Sequence, residues 1–511
     1  SFADFKVTMS REKNDLFSTS HLREGLKERA VKSTGITLVS QVIKLILQIG
    51  SMAIMARLLE PSDFGLVAMV TVFTGLALQF MEGGLSMATI QRNDITHHQV
   101  SNLFWINVAL GVGLCLLGIF LSPLVASVYE EPRLAMIMVA MSFTFLIGGF
   151  SVQHDALLRR QMRFKVLSII DVMSKTFGVI AGITAAILGL QYWALVISPI
   201  VTFGSITIMR WSYARWLPSM ISRGSGVRPL LNFGANLTGA NFIGYVAANI
   251  TPFTIGYLGG AQSLGMFDRA NKLASIPSSQ ILPPVMNVLQ PTLARVADDT
   301  KQLRHTITSI MGKLVLVAMF ITLTTAVLAD WIVYLLLGEG WNDVVPIVQI
   351  LSVFTLVEPI ARFLAISLIA VGNARAILRW KFITFIILIV SIGIGSLWGV
   401  VGIVTAYALS GVFIRLPGFL FYASKFLPIS FYEFLKVLLP SVICALGTIA
   451  VVYFLRNLFE IENPLVGLMI FTIISSMVYI IFCALVKPAR KEIIEIIGLF
   501  KFLISRKRTV K

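Results

Sequence analysis

The sequence predicts an all-α polytopic membrane protein of about 14 transmembrane helices, with two pseudo-symmetric six-helix bundles followed by two further helices. Of its 511 residues, 57% are hydrophobic and 13% are charged, whereas soluble proteins carry roughly 25% charged residues. The apolar residues form runs of about 18 or more, the length that crosses a bilayer as a helix. Because backbone groups in hydrocarbon must bond internally, and the runs lack the alternation of barrel strands, we expect helices throughout.

The apolar runs give the order of the predicted spans, and short polar segments separate them. The spans lie near 34–58, 62–91, 99–122, 133–158, 166–189, 191–214, 229–256, 262–293, 306–330, 342–371, 376–397, 399–422, 435–456 and 464–486.

Lysine and arginine fall mainly between these spans, and they alternate with acidic turns along the chain. With a cytoplasmic N-terminus, one inside loop holds Arg159, Arg160, Arg163 and Lys165, whereas an outside turn begins with Glu130. Positive charge in short loops sets membrane orientation. This alternation therefore predicts both termini in the cytoplasm, and it attributes the net charge of +17 to membrane orientation rather than to nucleic-acid binding. The polar first 30 residues lack the apolar region of a signal peptide.

A weak internal repeat relates the two halves of the chain. ARLLEPSDFGLVAM begins at Ala56 and GYLGGAQSLGMFDR begins at Gly256, so that Gly65 and Gly265 both open a span after an outside turn. An even number of spans per half makes the halves parallel repeats. The predicted divisions are a cytoplasmic tail at 1–33, lobes at 34–217 and 218–424, two spans at 425–487 and a basic amphipathic tail at 488–511, expected in the inner interface.

Several motifs resemble the polysaccharide transporter family of the multidrug/oligosaccharidyl-lipid/polysaccharide exporter (MOP) superfamily. Besides the repeat segments, they are EGGLSMATIQRNDIT, ALLRRQMRFK, GLQYWALV, NFGANL, IGYLGGAQSLGMFDRANKLASIP, LLLGEGWNDVVPIVQIL and AVGNARA. The resemblance covers about residues 27–486 and is nearest to Wzx-type exporters of colanic and teichuronic acid. It implies a MATE-like, two-lobed fold that flips undecaprenyl-pyrophosphate-linked oligosaccharides for surface polysaccharide synthesis by alternating access. One departure is Thr251–Pro252, where the family often has an acid used in ion coupling.

Charges inside the predicted spans are expected to face a partner or a wet cavity, because a charge at mid-bilayer costs roughly 2.5–3.5 kcal/mol. The resemblance implies that spans one, two, seven and eight line such a cavity. We expect its cations to bind the diphosphate; these are Lys44, Arg269, Lys272 and Arg362. Candidates for ion coupling are Glu82, Asp268 and Glu358. Candidates for sugar contacts are Asn241, Asn249, Tyr245 and Asn271.

A purely structural role for these charges is the competing interpretation. Asp268 with Lys272, and Glu358 with Arg362, have the i,i+4 spacing of paired residues on a helix. Three further cations in the spans, Lys175, Lys313 and Arg415, are expected to extend to the inner surface.

Two other functions stay open from the sequence: a MATE-like multidrug exporter, and a membrane glycan polymerase, ligase or acyltransferase. The excess of cations in the spans favours an anionic substrate over organic cations. The five histidines lie in tails, inside loops or a span end, and no P-loop motif occurs, so we expect no enzyme activity, metal or cofactor. Expected partners are the lipid-linked oligosaccharide, membrane lipids, a polysaccharide polymerase and glycosyltransferases, with transport driven by a proton or sodium gradient or the membrane potential.

Overall fold

The computed structural model describes residues 17, 26–82, 85–92, 95–222, 228–459 and 461–508. Within these ranges, side chains are described except at 26–34, 82, 85, 88, 91, 228–241, 243, 280–285, 287–288 and 499–508. All regular secondary structure in the described ranges is helical, which confirms the predicted fold class.

The helices follow one another with short connections. The first are α1 (Leu26–Leu58), α2 (Pro61–Glu82), α3 (Leu85–Gln91), α4 (His97–Val128), α5 (Arg133–Gly149), α6 (Val152–Arg160), α7 (Phe164–Ile187), α8 (Trp193–Ala214) and α9 (Arg228–Arg295). They are followed by α10 (Thr300–Val327), α11 (Ala329–Leu336), α12 (Val344–Phe354), α13 (Val357–Ala370), α14 (Ala374–Gly395), α15 (Gly399–Leu409), α16 (Leu416–Ala423), α17 (Phe431–Leu458), α18 (Pro464–Leu485) and α19 (Lys487–Arg508). A π-helical segment, Ser410–Arg415, joins α15 to α16.

Ten helical stretches of the described chain are long and apolar enough to cross a membrane, or eleven if the bent pair α5–α6 is one span. One stretch, Ala374–Ala423, is 50 residues long and covers two predicted spans, 376–397 and 399–422. It turns at Gly399, whose φ of +70° favours glycine. Helix α9 likewise contains a non-helical residue, Gly260, between two predicted spans. The protein is thus a multi-pass membrane protein, and the count of 14 stays a prediction.

Polar residues fix several helix starts. Thr96 and Gln99 form a reciprocal capping box at α4, and Ser430 and Glu433 form one at α17. Such caps satisfy amide groups that have no partner within the first helical turn. The boundaries of these two helices are therefore local properties of the sequence.

The chain divides into two compact units, Ser1–Gly265 and Met266–Lys511. The predicted lobe boundaries at 217 and 424 stay predictions. Within the first unit the backbone of α2 lies directly against the last turns before Gly265. A Cβ added at Gly65 would overlap the carbonyl oxygen of Ala261, and one at Gly265 would overlap the carbonyl oxygen of Pro61. Both glycines of the predicted repeat therefore serve the same close helix crossing.

The second unit is built on a large apolar core that includes Phe363, Phe434 and Tyr479. The Tyr479 hydroxyl is buried and donates a hydrogen bond to the carbonyl of Leu316 at 2.8 Å. The C-terminal helix α19 joins this core through Ala489, which is buried, and through Ile493 and Ile496, which are partly buried. One face of the predicted amphipathic tail is thus packed against protein.

Candidate functional site

Lys44, the deepest cation predicted for the first span, forms an ion pair within the first unit. Its Nζ lies 3.3 Å from Oδ2 of Asp171 on α7, and each side chain is 36% exposed. The sequence reasoning missed Asp171 as a partner, because the two residues are 127 positions apart and meet only through the packing of α1 on α7.

Near the start of the second unit, the carboxylate of Asp268 pairs with two cations, Arg269 and Lys272. Oδ2 of Asp268 accepts hydrogen bonds from Nη2 of Arg269 at 2.5 Å and from Nζ of Lys272 at 2.9 Å. Arg269 is 8% exposed and Lys272 is exposed. The structure therefore brings three predicted site residues together, and the i,i+4 contact between Asp268 and Lys272 is confirmed.

The second i,i+4 pair is also formed. Nη2 of Arg362 donates to Oε1 of Glu358 at 2.7 Å on α13, and both side chains are exposed. This pair and the Asp268 cluster both belong to the second unit, and no described ion pair joins one to the other.

The residues predicted to contact the sugars differ in their exposure and in their hydrogen bonds. Tyr245 is half-buried. Its hydroxyl lies within hydrogen-bond distance of two carbonyl oxygens on α2, at 3.1 Å from that of Thr71 and 3.0 Å from that of Val72. Asn249 donates to the Tyr245 carbonyl one turn earlier, and Asn271 is exposed. The side chains of Asn241 and Glu82 lie outside the described residues.

A second shared carboxylate lies in the first unit, and the sequence reasoning did not identify it. Asp155 on α6 accepts a hydrogen bond from Arg159 at 2.6 Å and forms an ion pair with Arg210 of α8 at 2.8 Å. The three side chains line a cavity of about 320 Å³ together with Ser86 of α3 and Ser151. The i,i+4 spacing of Asp155 and Arg159 was a signal available from the sequence, whereas Arg210 is brought in by the packing of α6 on α8.

The three cations expected to extend to the inner surface, Arg415, Lys313 and Lys175, lie in three different environments. Arg415 is buried in the π-helical segment, where its guanidinium lies over the rings of Phe354 and Tyr407, so the prediction was wrong for this residue. Lys313 instead forms ion pairs with Glu492 at 3.1 Å and with Glu495 at 2.7 Å, both on α19. Lys175 is half-buried and forms no ion pair with any described residue.

The fold is similar to that of two solved structures. The lipid II flippase MurJ in an inward closed conformation matches with a TM-score of 0.69 at 16% identity, over 89% of this chain and 98% of MurJ. An inward-facing multidrug resistance MATE family transporter of the MOP superfamily matches with a TM-score of 0.55 at 12% identity, over 77% and 96% of the two chains. The predicted MATE-like fold is confirmed.

Two relatives are similar in sequence over most of their length. The lipopolysaccharide biosynthesis protein WzxC of Escherichia coli K12 is 25% identical over 84% of this chain and 88% of its own. The teichuronic acid biosynthesis protein TuaB of Bacillus subtilis 168 is 29% identical over 71% and 74%. The model of the polysaccharide biosynthesis protein family matches residues 54–346, more than half of the sequence, and the chain therefore belongs to this family.

Proposed function

We propose that the protein is a flippase that moves undecaprenyl-pyrophosphate-linked oligosaccharide repeat units from the cytoplasmic to the outer leaflet by alternating access. The observation that carries this proposal is the cavity in which Arg159 and Arg210 flank Asp155. Membership of the polysaccharide biosynthesis family, and the names of the lipopolysaccharide and teichuronic acid relatives, support a substrate of surface polysaccharide synthesis.

The chemistry of the cavity suits a diphosphate head. A guanidinium binds phosphate oxygens through two parallel N–H donors, and it stays charged at any physiological pH. A diphosphate that arrives at Arg159 and Arg210 competes with the single carboxylate of Asp155 for these donors. In the predicted orientation α6 and the end of α8 lie at the cytoplasmic side, where the substrate is made available.

The predicted cations of the second unit fit the same proposal. Arg269 and Lys272 surround one carboxylate, Asp268, as Arg159 and Arg210 surround Asp155. A phosphate group that displaces the carboxylate would find both cations already in position, so that less side-chain freedom is lost on binding.

Transport of this kind needs no covalent step, and we propose that the protein is not an enzyme. We further propose a bacterial inner-membrane location, which the bacterial relatives support, with both termini in the cytoplasm, as the distribution of lysine and arginine indicates. The membrane potential would supply about 2.3 kcal/mol per charge per 100 mV. Any ion coupling would then use a carboxylate such as Asp268 or Glu358.

Neutralising the arginines of the cavity is expected to slow transport. In proteoliposomes containing an undecaprenyl-pyrophosphate oligosaccharide, Arg159→Gln and Arg210→Gln should each flip at least tenfold more slowly, a loss of about 1.4 kcal/mol. Arg57→Gln is the control, because Arg57 is exposed at the end of α1 away from the cavity. Equal rates for all three variants and the wild type would refute the role of this cavity.

The same proteoliposomes separate the other functions. A multidrug exporter would move a fluorescent organic cation and leave the lipid-linked sugar in place. A polymerase or ligase would lengthen or transfer the sugar, which mass spectrometry of the recovered lipid detects. Either result, without flipping, would overturn the proposal.

Removing the ion pair of Lys44 and Asp171 tests whether Lys44 binds the substrate or only pairs with Asp171. The double variant Lys44→Met/Asp171→Asn removes both charges together, so it should keep the thermal stability of the wild type. If Lys44 also binds the diphosphate, this variant flips at least tenfold more slowly. A stable variant with normal flipping would show that Lys44 does not bind the diphosphate.

A further inference from the structure

An apolar groove runs along the surface of the first unit between α1 and α7. It has a volume of about 400 Å³, and its lining includes Val39 and Ile43 of α1 together with Ile169, Val172 and Met173 of α7. Val39 is 62% exposed. Ser40 and Ser168 are the polar residues of a lining that is otherwise apolar or glycine, so the groove is suited to a hydrocarbon chain rather than to water.

Charged groups mark both ends of the groove. At one end, Ile43 and Val172 are the chain neighbours of Lys44 and Asp171, which form the ion pair described above. At the other end the lining residues are Gly35 and Ser168. Lys165, at the start of α7, is three residues before Ser168 and four before Ile169, so it lies on the same helix face.

Lys165 is exposed and forms no ion pair with any residue in the described part of the chain. In the predicted orientation it lies at the cytoplasmic surface, at the depth of lipid phosphates. The groove therefore combines an apolar surface along residues 35–43 and 168–173 with a cation that the predicted orientation places at headgroup level.

We propose that this groove binds the polyprenyl tail of the carrier lipid in the cytoplasmic leaflet, with Lys165 next to its diphosphate. This inference rests on the proposed function, since a flippase must hold a substrate whose tail stays in the bilayer while its head is transferred. In this arrangement the first turns of α7 run from Lys165, at the level of the lipid headgroups, to Asp171, which pairs with Lys44 deeper in the membrane.

Selectivity in such a groove cannot come from the hydrophobic effect, because the surrounding acyl chains are as apolar as the tail. It comes from van der Waals contact of the branched chain with the irregular lining and from the charge of the diphosphate at Lys165. A phosphodiester headgroup carries less negative charge, so Lys165 favours the carrier lipid over phosphatidylglycerol.

The test is photolabelling of the full-length protein in proteoliposomes with a polyprenyl diphosphate that carries a diazirine near its first isoprene units. Labelled residues are expected within 35–43 and 168–173. Val39→Trp and Ile169→Trp, which fill the groove, should each reduce this labelling at least fivefold. Ile46→Trp and Ile180→Trp are matched controls on the same helices, because both residues are exposed and lie outside the groove, and they should label as the wild type does.

Competition identifies the occupant. Excess unlabelled polyprenyl diphosphate should suppress the labelling, whereas the same amount of phosphatidylglycerol should not; equal suppression by both would make the groove a general lipid site and overturn the inference. Labelling that is unchanged in Val39→Trp and Ile169→Trp would overturn it as well. Flipping by the wild type, measured in parallel, tests the proposed function separately, because labelling does not require transfer of the head.

Discussion

Replacing Gly65 or Gly265 with alanine is expected to leave little folded protein. At each position the new Cβ would overlap a backbone carbonyl oxygen, that of Ala261 for Gly65 and that of Pro61 for Gly265. A backbone atom inside a helix cannot move aside as a flexible side chain can, so the two helices must separate. The loss should exceed the ~1–3 kcal/mol typical of an overpacked side chain. Thermal unfolding of the detergent-purified variants, followed by size-exclusion chromatography, measures it.

Gly50→Ala is the matched control for this experiment. Gly50 is in the interior of α1, and a Cβ added there meets no atom within 4 Å. Alanine favours a helix interior over glycine by about 1 kcal/mol, so this variant should be as stable as the wild type or slightly more stable. If Gly65→Ala and Gly265→Ala unfolded at the temperature of Gly50→Ala, the close crossing would be wrong.

Removing the two carboxylates that bind Lys313 is expected to produce the second large effect. Lys313 lies in a membrane-spanning helix, its side chain is 18% exposed, and it bonds Glu492 and Glu495 of α19. Glu492→Gln/Glu495→Gln would leave the ammonium without these partners and should destabilise the second unit by about 3 kcal/mol. Hydrogen exchange of the peptides covering α19 should rise at the same time.

Lys313→Met provides the compensating change. Combined with the two glutamine substitutions, it removes the stranded charge and should restore most of the stability, as a double-mutant cycle would show. If Lys313→Met brought no recovery, the effect of the glutamines would come from some other contact of α19.

The docking of α19 should also depend on pH. The hydrogen bond from Lys313 holds the pKa of Glu495 below its usual value of 4.5. A lowered pKa means that the stabilisation is fully present above the usual value and is lost as the pH falls through the lowered one. The protection factor of α19, which is its exchange corrected for the intrinsic pH dependence of amide exchange, should therefore be constant from pH 8 to about pH 5 and fall below that range, whereas the Glu492→Gln/Glu495→Gln variant should show no such fall.

The sequence predicted those features that depend on neighbours along the chain. Run length predicts the spans, and an offset of 200 residues marks Gly65 and Gly265. Helical spacing predicts the contact of Asp268 with Lys272 and of Glu358 with Arg362. The two i,i+4 contacts follow from helix geometry and the spans from run length, whereas the offset marks the two glycines without predicting that their helices meet.

The remaining contacts depend on which helices pack together. Asp171 meets Lys44 because α7 packs on α1, and Arg210 meets Asp155 because α8 packs on α6. The expectation that Arg415 reaches the inner surface was wrong for the same reason: the aromatic rings of Phe354 and Tyr407, on different helices, enclose it. No local pattern in one sequence specifies such neighbours.

The ion pairs of Lys313 have a consequence for the synthesis of the protein. The ribosome delivers Lys313 to the translocon well before Glu492 and Glu495 have been translated, so its ammonium enters the bilayer with Ser309 of the same helix as its hydrogen-bond partner. A lysine costs roughly 2.5–3.5 kcal/mol to insert at the bilayer centre and less near the interface, and the apolar residues of α10 must offset this cost during biogenesis. A nascent chain that ends before α19 therefore carries Lys313 without either of these carboxylate partners.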